Sequence, residues 1–171
     1  TSSAASDVYK RQLIIHINVA TAVNVNSCQT ISSSGTYTLI NDINTVSGDN
    51  CFDIQAHNVI FDGQGFTLST TDTNKKAFNV DGYNNITIKN TRTHGFHNTI
   101  YVINSNSHTI QNNTVTNTNF WPIYANNVVN INIQQNNVTN SSGLGILVYG
   151  NESTIENNII TNASSQGIWN R

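Results

Sequence analysis

The chain is poor in charged residues. Among its 171 residues are only 7 Lys or Arg and 9 Asp or Glu, and the formal net charge is −2. With so few basic side chains there is no electrostatic footprint for nucleic acid, so we expect no nucleic-acid partner. No apolar run reaches the roughly 18 residues that a membrane-spanning helix needs, so the chain is not predicted to span a membrane. Methionine is absent and proline occurs once.

Asparagine is abundant instead. The sequence holds 31 Asn, about one residue in six, with a similar excess of Ser and Thr. Such polarity is typical of disordered chains when apolar residues are scarce. Here Ile, Val and Phe recur at regular intervals, which indicates a folded domain with a core.

An Asn-rich phrase occurs three times, as TIQNNTVTN (109–117), NIQQNNVTN (132–140) and TIENNIITN (154–162). Aligning these copies extends a repeat of about 22 residues along most of the chain. Within each unit, apolar and polar residues alternate, which is strand rather than helix periodicity. One apolar column recurs at nearly constant intervals, of which the first is the longest, and consists of Phe52, Phe78, Ile100, Ile123, Ile146 and Ile168.

A short unit that holds two or three strands predicts one coil of a parallel β-helix. One coil cannot bury its own apolar side, so about six coils stack into an all-β solenoid with inward Ile, Val and Phe. The repeated Asn would mark the same corner of successive coils, because Asn tolerates the left-handed backbone of a tight turn and can form hydrogen-bonded ladders. The predicted ladders are Asn113, Asn136, Asn158 and Asn117, Asn140, Asn162.

The two ends of the chain need separate interpretations. Residues 1–12 (TSSAASDVYKRQ) resemble translated sequencing-adapter read-through from assembled environmental DNA, and we exclude them as a non-native scar. Residues 13–27 are either the remnant of a signal peptide or a capping strand. The β-helix is expected over 28–171 and to be incomplete at its C-terminus, because GIWNR begins a coil that stops within it.

Residues 28–171 resemble the right-handed parallel β-helix group, which is pectin-lyase-like, and within it the repeats found in NosD-type periplasmic proteins and in carbohydrate-binding and sugar-hydrolase proteins. The segment CFDIQAHNVIFDGQGFTL (51–68) carries the resemblance, together with NNITIKN and the Asn-rich units. The resemblance implies a right-handed parallel β-helix. It says little about chemistry, because many functions share this scaffold.

A stripe of large side chains is predicted to point outward between the inward columns. Flat aromatic faces suit a sugar ring, so the stripe suggests a platform for an extended polysaccharide. The alternative is that protein covers the stripe, because exposed apolar patches often mark interfaces. The stripe consists of Tyr101, Tyr124, Leu147 and Trp169, with Phe120 and Trp121 at its rim.

Catalytic candidates are sparse. Glycoside hydrolysis usually uses two carboxylates, and the pectate lyases that share this resemblance use Ca²⁺ held by several acidic ligands. Calcium is therefore the cofactor to expect if the chain belongs to a lyase; otherwise we expect none. The best cluster in the sequence is Asp53, Asp81 and Arg92. A fragment of a polysaccharide lyase, glycoside hydrolase or epimerase remains an alternative on this basis.

The NosD-type resemblance implies an alternative metal-linked role. His94 and His97 in HGFH are the candidate ligands, since imidazole suits copper and zinc. A pair of His residues on a loop is a weak signal without further ligands. His108 aligns with the inward column of Ile86 and Ile131, so we interpret it as a hydrogen-bonded residue at the edge of the core.

Cys28 and Cys51 stand one coil length apart in the sequence. This spacing is consistent with a disulfide between neighbouring coils of a secreted protein, or with two buried thiols. The sequence as a whole favours a secreted or surface-displayed β-helix, extracellular or periplasmic, that is not an enzyme. We expect it to bind polysaccharide or a cell-surface glycan, or to mediate adhesion, and to continue into further coils of the same polypeptide.

Overall fold

The computed structural model describes residues 21–171. The predicted scar (1–12) and residues 13–20 of the second segment lie outside the described residues. Strands account for the regular structure of the described chain: β1 (Val23–Val25), β2 (Gln29–Ile31), β3 (Gly35–Leu39), β4 (Asn50–Ile54), β5 (Val59–Asp62), β6 (Thr67–Ser69), β7 (Lys76–Asp81), β8 (Ile86–Lys89), β9 (Arg92–His94), β10 (Asn98–Gln111), β11 (Thr114–Thr118), β12 (Trp121–Gln134), β13 (Asn137–Ser141), β14 (Ile146–Asn151), β15 (Thr154–Glu156), β16 (Ile159–Ala163) and β17 (Ile168–Asn170).

These strands form a parallel β-solenoid of about six coils with three faces, as predicted. Face 1 holds β2, β4, β7, the first halves of β10 and β12, β14 and β17. Face 2 holds β1, β3, β5, β8, the second halves of β10 and β12, and β15. Face 3 is a separate sheet of β6, β9, β11, β13 and β16. Every strand pair is parallel, because each strand pairs with its equivalent one coil away.

The strand register confirms the repeat. On face 1, Phe52 pairs with Phe78 and Ile100 pairs with Ile123, and the column continues to Ile168. Equal coil lengths put chemically equivalent residues on top of one another, so apolar side chains meet inside the solenoid. The largest fully buried side chains include Phe52, Phe61, Phe78, Phe96, Ile100, Ile110 and Ile123.

The predicted Asn stack beneath the corner of faces 2 and 3 is also confirmed. The Asn113 amide nitrogen donates to Asn136 Oδ1 at 3.0 Å, and the Asn136 amide nitrogen donates to Asn158 Oδ1 at 3.0 Å. Each of these nitrogens also donates to a backbone carbonyl, that of Ile88 for Asn113 and that of Ile110 for Asn136. The stack therefore satisfies backbone carbonyls and amides in the interior, where an unpaired polar group would be costly.

A second ladder runs along the surface of face 3. Asn140 donates to Asn117 Oδ1 at 3.0 Å and accepts from the amide nitrogen of Asn162 at 3.1 Å. These three residues have left-handed backbone angles, with φ between 52° and 58°, whereas the buried stack does not. Of the 15 described non-glycine residues with positive φ, 11 are Asn, so tight corners account for much of the Asn content.

A disulfide joins Cys28 to Cys51 at the beginning of the solenoid. Cys51 is fully buried at the start of the face 1 column, and Cys28 is partly buried against the core. The bond ties the coil that contains β2 to the coil that contains β4, and these two strands are paired directly. Within residues 21–171 no helix is long and apolar enough to cross a membrane.

Candidate functional site

Four aromatic rings form a continuous stack on face 1, and we call them the aromatic surface: Tyr101, Phe120, Trp121 and Tyr124. The ring centroids of Tyr101 and Tyr124 are 5.0 Å apart and those of Tyr124 and Trp121 are 4.2 Å apart, with nearly parallel planes. Phe120 continues the stack at 4.1 Å from Trp121. The strands align Tyr101 with Tyr124, while Trp121 at the start of β12 and Phe120 in the turn before it bring the other two rings over them.

The outward stripe is less accessible than the sequence predicts. Tyr124 and Leu147 lie outside the continuous core, yet only 8% and 3% of their surfaces are exposed. Tyr124 is covered because the Trp121 ring packs flat against it from one side and Tyr101 from another. These two residues therefore support the surface from below and do not contact a ligand directly. The prediction that Tyr124 and Leu147 form part of an exposed platform was wrong.

The accessible part of the aromatic surface is Phe120, Trp121 and Tyr101. Phe120 is 39% exposed, and Trp121 and Tyr101 are half-buried. Trp169 is also half-buried in the last coil, in register with Leu147, and the Arg171 guanidinium lies 4.9 Å from the centre of its ring. The chemically useful area is thus shifted from the predicted column towards the turn that precedes β12.

Lys76 borders the aromatic surface and was not predicted. Its ammonium lies 4.5 Å from the centre of the Tyr101 ring and donates to Asn79 Oδ1 at 3.2 Å. A cation over an aromatic face is attracted by the negative charge density of the ring. The coil spacing contained a signal for it, since Lys76 is in register with Asn98 and then with Trp121.

Burial raises the pKa of the Tyr124 phenol above its usual value, and the neighbouring phenols of Tyr101 and Tyr149 act in the same direction. The Tyr124 ring is therefore neutral at physiological pH. Its hydroxyl is uncharged and therefore offers no charge for a ligand to bind.

The structure does not assemble the predicted catalytic cluster. Asp53 and Asp81 line one depression of about 340 Å³ on face 1, whereas Arg92 lies on face 3 beside a different cleft. The Asp53 carboxylate is engaged by two amides, from Gln55 at 2.6 Å and from Asn79 at 2.8 Å. The prediction was wrong because Arg92 follows the turn between β8 on face 2 and β9 on face 3, whereas Asp53 and Asp81 lie on face 1.

Nor are the metal candidates brought together with further ligands. His94 points outward from face 3, with Nδ1 3.2 Å from the Thr116 hydroxyl. His97 instead packs its ring on Phe120 at 5.2 Å, at the edge of the aromatic surface. Within the described residues, no group of three or more His, Cys, Asp or Glu side chains is arranged to hold a metal ion.

His108 lies in the core between Ile86 and Ile131 of the same inward column, as the repeat predicts. Its Nε2 is 2.9 Å from the Ser105 hydroxyl, and only 3% of the residue is exposed. Burial lowers the pKa of His108 to about 4, so its imidazole is neutral at physiological pH.

Comparison with known proteins bears on the fold. No curated protein and no solved structure matches the chain. A family model described as right handed beta helix region matches residues 14–171, which is nearly the whole sequence. Because this match covers most of the sequence and the described residues form parallel coils, the chain belongs to the right-handed β-helix family.

Proposed function

We propose that this chain is a non-catalytic, secreted or surface-displayed β-helix module that binds polysaccharide on its aromatic surface. Sugar rings present C–H groups that pack against the negatively polarised face of an aromatic ring. A rigid sheet holds such faces in place at little entropic cost on binding. The proposal depends on the unbroken stack of Tyr101, Tyr124, Trp121 and Phe120, whose outer members are accessible.

Two neighbouring polar groups support binding of a hydroxyl-rich ligand. Lys76 and Asn79 lie beside Tyr101, where they can hydrogen-bond to sugar hydroxyls at the edge of the stacked ring. Carbohydrate sites commonly need both features, since stacking alone does not orient a ring. The Cys28–Cys51 disulfide supports an oxidising location, because such bonds persist in secreted and periplasmic proteins and are rare in the cytosol.

Affinity electrophoresis through gels that contain a panel of plant, algal and microbial polysaccharides tests the proposal. We expect the protein to be retarded by at least one polymer. Phe120→Ala and Tyr101→Ala, at the two ends of the stack, should each weaken this binding about tenfold or more, because truncating an aromatic anchor costs about 2 kcal/mol. Neither ring belongs to the continuous core, so the melting temperature should change little.

Tyr149→Ala is the matched control, since Tyr149 is exposed on the neighbouring coil but is not part of the stack. It should bind like the unaltered protein. Samples are also assayed for new reducing ends and unsaturated uronides. Product formation would contradict the non-catalytic proposal and direct attention to Asp53 and Asp81. Absence of retardation by every polymer would favour a surface that another protein segment covers.

A further inference from the structure

A second cleft lies at the corner between faces 2 and 3, away from the aromatic surface. Its volume is about 290 Å³, and it is built from the equivalent turns of three successive coils. Because the turns repeat, similar side chains line it at one-coil intervals. Its walls include Gln64, Gly65, Asn90, Arg92, Asn112 and Thr114.

Arg92 is the charged residue that lines this cleft. It begins β9, is exposed, and aligns with Thr67 on one side and Thr114 on the other. The described residues form ion pairs through Lys75 and Lys89, and none of these pairs includes Arg92. A guanidinium presents five N–H donors in a rigid fork and has no acceptor. Its donors therefore face the cleft without a carboxylate partner from residues 21–171.

The nearby carboxylate, Asp62, is already engaged by other groups. Its Oδ1 accepts from the backbone N–H of Gln64 at 3.1 Å and from the amide nitrogen of Asn90 at 2.9 Å, while Oδ2 lies 3.3 Å from Lys89 Nζ. Burial raises the pKa of Asp62, but these three interactions outweigh burial and hold its pKa below the usual value. The Asp62 charge is thus balanced by Lys89, which leaves the charge of Arg92 uncompensated.

The amide side chains of the cleft add further donors. Asn112 donates one hydrogen to Asn90 Oδ1 at 2.7 Å, and Asn90 donates one to Asp62. Each amide nitrogen carries two hydrogens, so each retains a second N–H. These chained hydrogen bonds also hold the side chains in fixed orientations, so an incoming acceptor meets a preformed arrangement.

We propose that this cleft binds an oxyanion carried by a ligand, a carboxylate or a sulfate ester, with Arg92 as the principal contact. The Arg fork matches two oxygens of either group, and charge-assisted hydrogen bonds are about twice as strong as neutral ones. The site goes beyond the proposed glycan contact on face 1 and does not depend on it. A polymer that bears acidic groups would have a second, separate point of attachment here.

The test is a titration followed by ¹H–¹⁵N NMR at constant ionic strength. The probes are sodium glucuronate for a carboxylate, glucose 6-sulfate for a sulfate ester, and glucose as the neutral sugar. We expect saturable shifts of the Gln64, Gly65 and Asn112 amide signals with at least one anionic probe and none with glucose. Saturation by one anion alone identifies which source the site prefers, and either result supports the proposal.

Arg92→Gln should weaken the affinity about tenfold or more, since a hydrogen bond to a charged group contributes about 1.5–3 kcal/mol and each 1.4 kcal/mol is a factor of ten. Arg92→Lys should restore part of the affinity for sulfate but less for the planar carboxylate. Lys75→Gln removes an equal charge from the turn before β7, which belongs to neither proposed site, and should leave the titration unchanged.

The result that overturns the proposal is an unaltered titration in Arg92→Gln, equal shifts with glucose, or no saturable shift with either anion. Signals far from the cleft report whether the variant remains folded. Because the aromatic surface lies on another face, loss of this site leaves retardation by neutral polysaccharides intact, and the two proposals fail independently.

Discussion

The early coils and the late coils of this solenoid are held together by different means. Up to β9 the core is aromatic, with the rings of Phe52, Phe61 and Phe78 in mutual contact at 4.5 to 5.6 Å, and the disulfide and the three ion pairs found within residues 21–171 lie there. Residues 98–151, in contrast, contain no Asp, Glu, Lys or Arg. There the core is mainly Ile and Val, and Asn side chains stack between coils.

Coil length and the residue at the buried corner both differ between the two regions. The interval from Phe52 to Phe78 is longer than those that follow it, which places extra residues in turns. Polar side chains still meet between the early coils, as where Asn85 donates to Asn58 Oδ1 at 2.8 Å, but the coil before Asn113 has Thr91 at the position of the buried stack. The late coils are shorter and nearly equal in length, so each Asn lies on the next, which is the condition for a ladder.

The largest expected effect is on the aromatic core. Phe61→Ala should lower the free energy of unfolding by about 3–5 kcal/mol, because it removes a fully buried ring and leaves a cavity between two other rings. Ile133→Ala, in the equivalent face 2 column of the late coils, should cost about 2–4 kcal/mol. Urea denaturation measures both. A larger loss for Ile133→Ala would contradict the expectation that the aromatic core of the early coils is the more sensitive to truncation.

Acidification is expected to weaken the late coils through His108. Its pKa is about 4 in the folded protein and about 6.5 in the unfolded chain, so the unfolded state takes up the proton first as the pH falls. The stability due to neutral His108 is thus complete above pH 6.5 and is lost as the pH falls towards 4, by up to about 3 kcal/mol.

His108→Ile, which restores the residue type of its column, is the control for this prediction. This variant should lose most of the decline in stability between pH 6.5 and 4. Urea denaturation at each pH measures the stability. An identical decline in the variant would show that other groups cause the acid sensitivity.

The buried Asn stack should contribute more than the surface ladder. Asn136→Ala leaves the backbone N–H of Asn113 and the carbonyl of Ile110 without their interior partners, and we expect a loss of about 2–3 kcal/mol. Asn140→Ala removes exposed hydrogen bonds and should cost about 1 kcal/mol or less, in part from strain at its left-handed φ of 58°. Equal losses in thermal unfolding would mean that burial does not distinguish the two ladders.

Spacing and alternation in the sequence alone were enough to predict the parallel solenoid, its columns and its stacked Asn. Side chains on a strand point alternately to its two sides, and a constant coil length places the same residue type at the same position of each coil. Both features depend only on spacing along the chain, so they can be predicted from the sequence. The buried position of His108 followed from the same rule, because its neighbours in the column, Ile86 and Ile131, are apolar.

Which side chains reach solvent, and which meet across a turn, was decided only by the tertiary structure. Nothing in the alternation indicates that the Trp121 ring folds back over Tyr124, since that depends on the path of one turn. Turns also placed Arg92 on face 3, away from Asp53 and Asp81 on face 1. On face 3, Arg92 lines a cleft whose other walls include amide side chains. Strands repeat from coil to coil and so can be predicted from a pattern. The conformation of each turn depends instead on the contacts of its own residues. Both proposed sites lie beside turns.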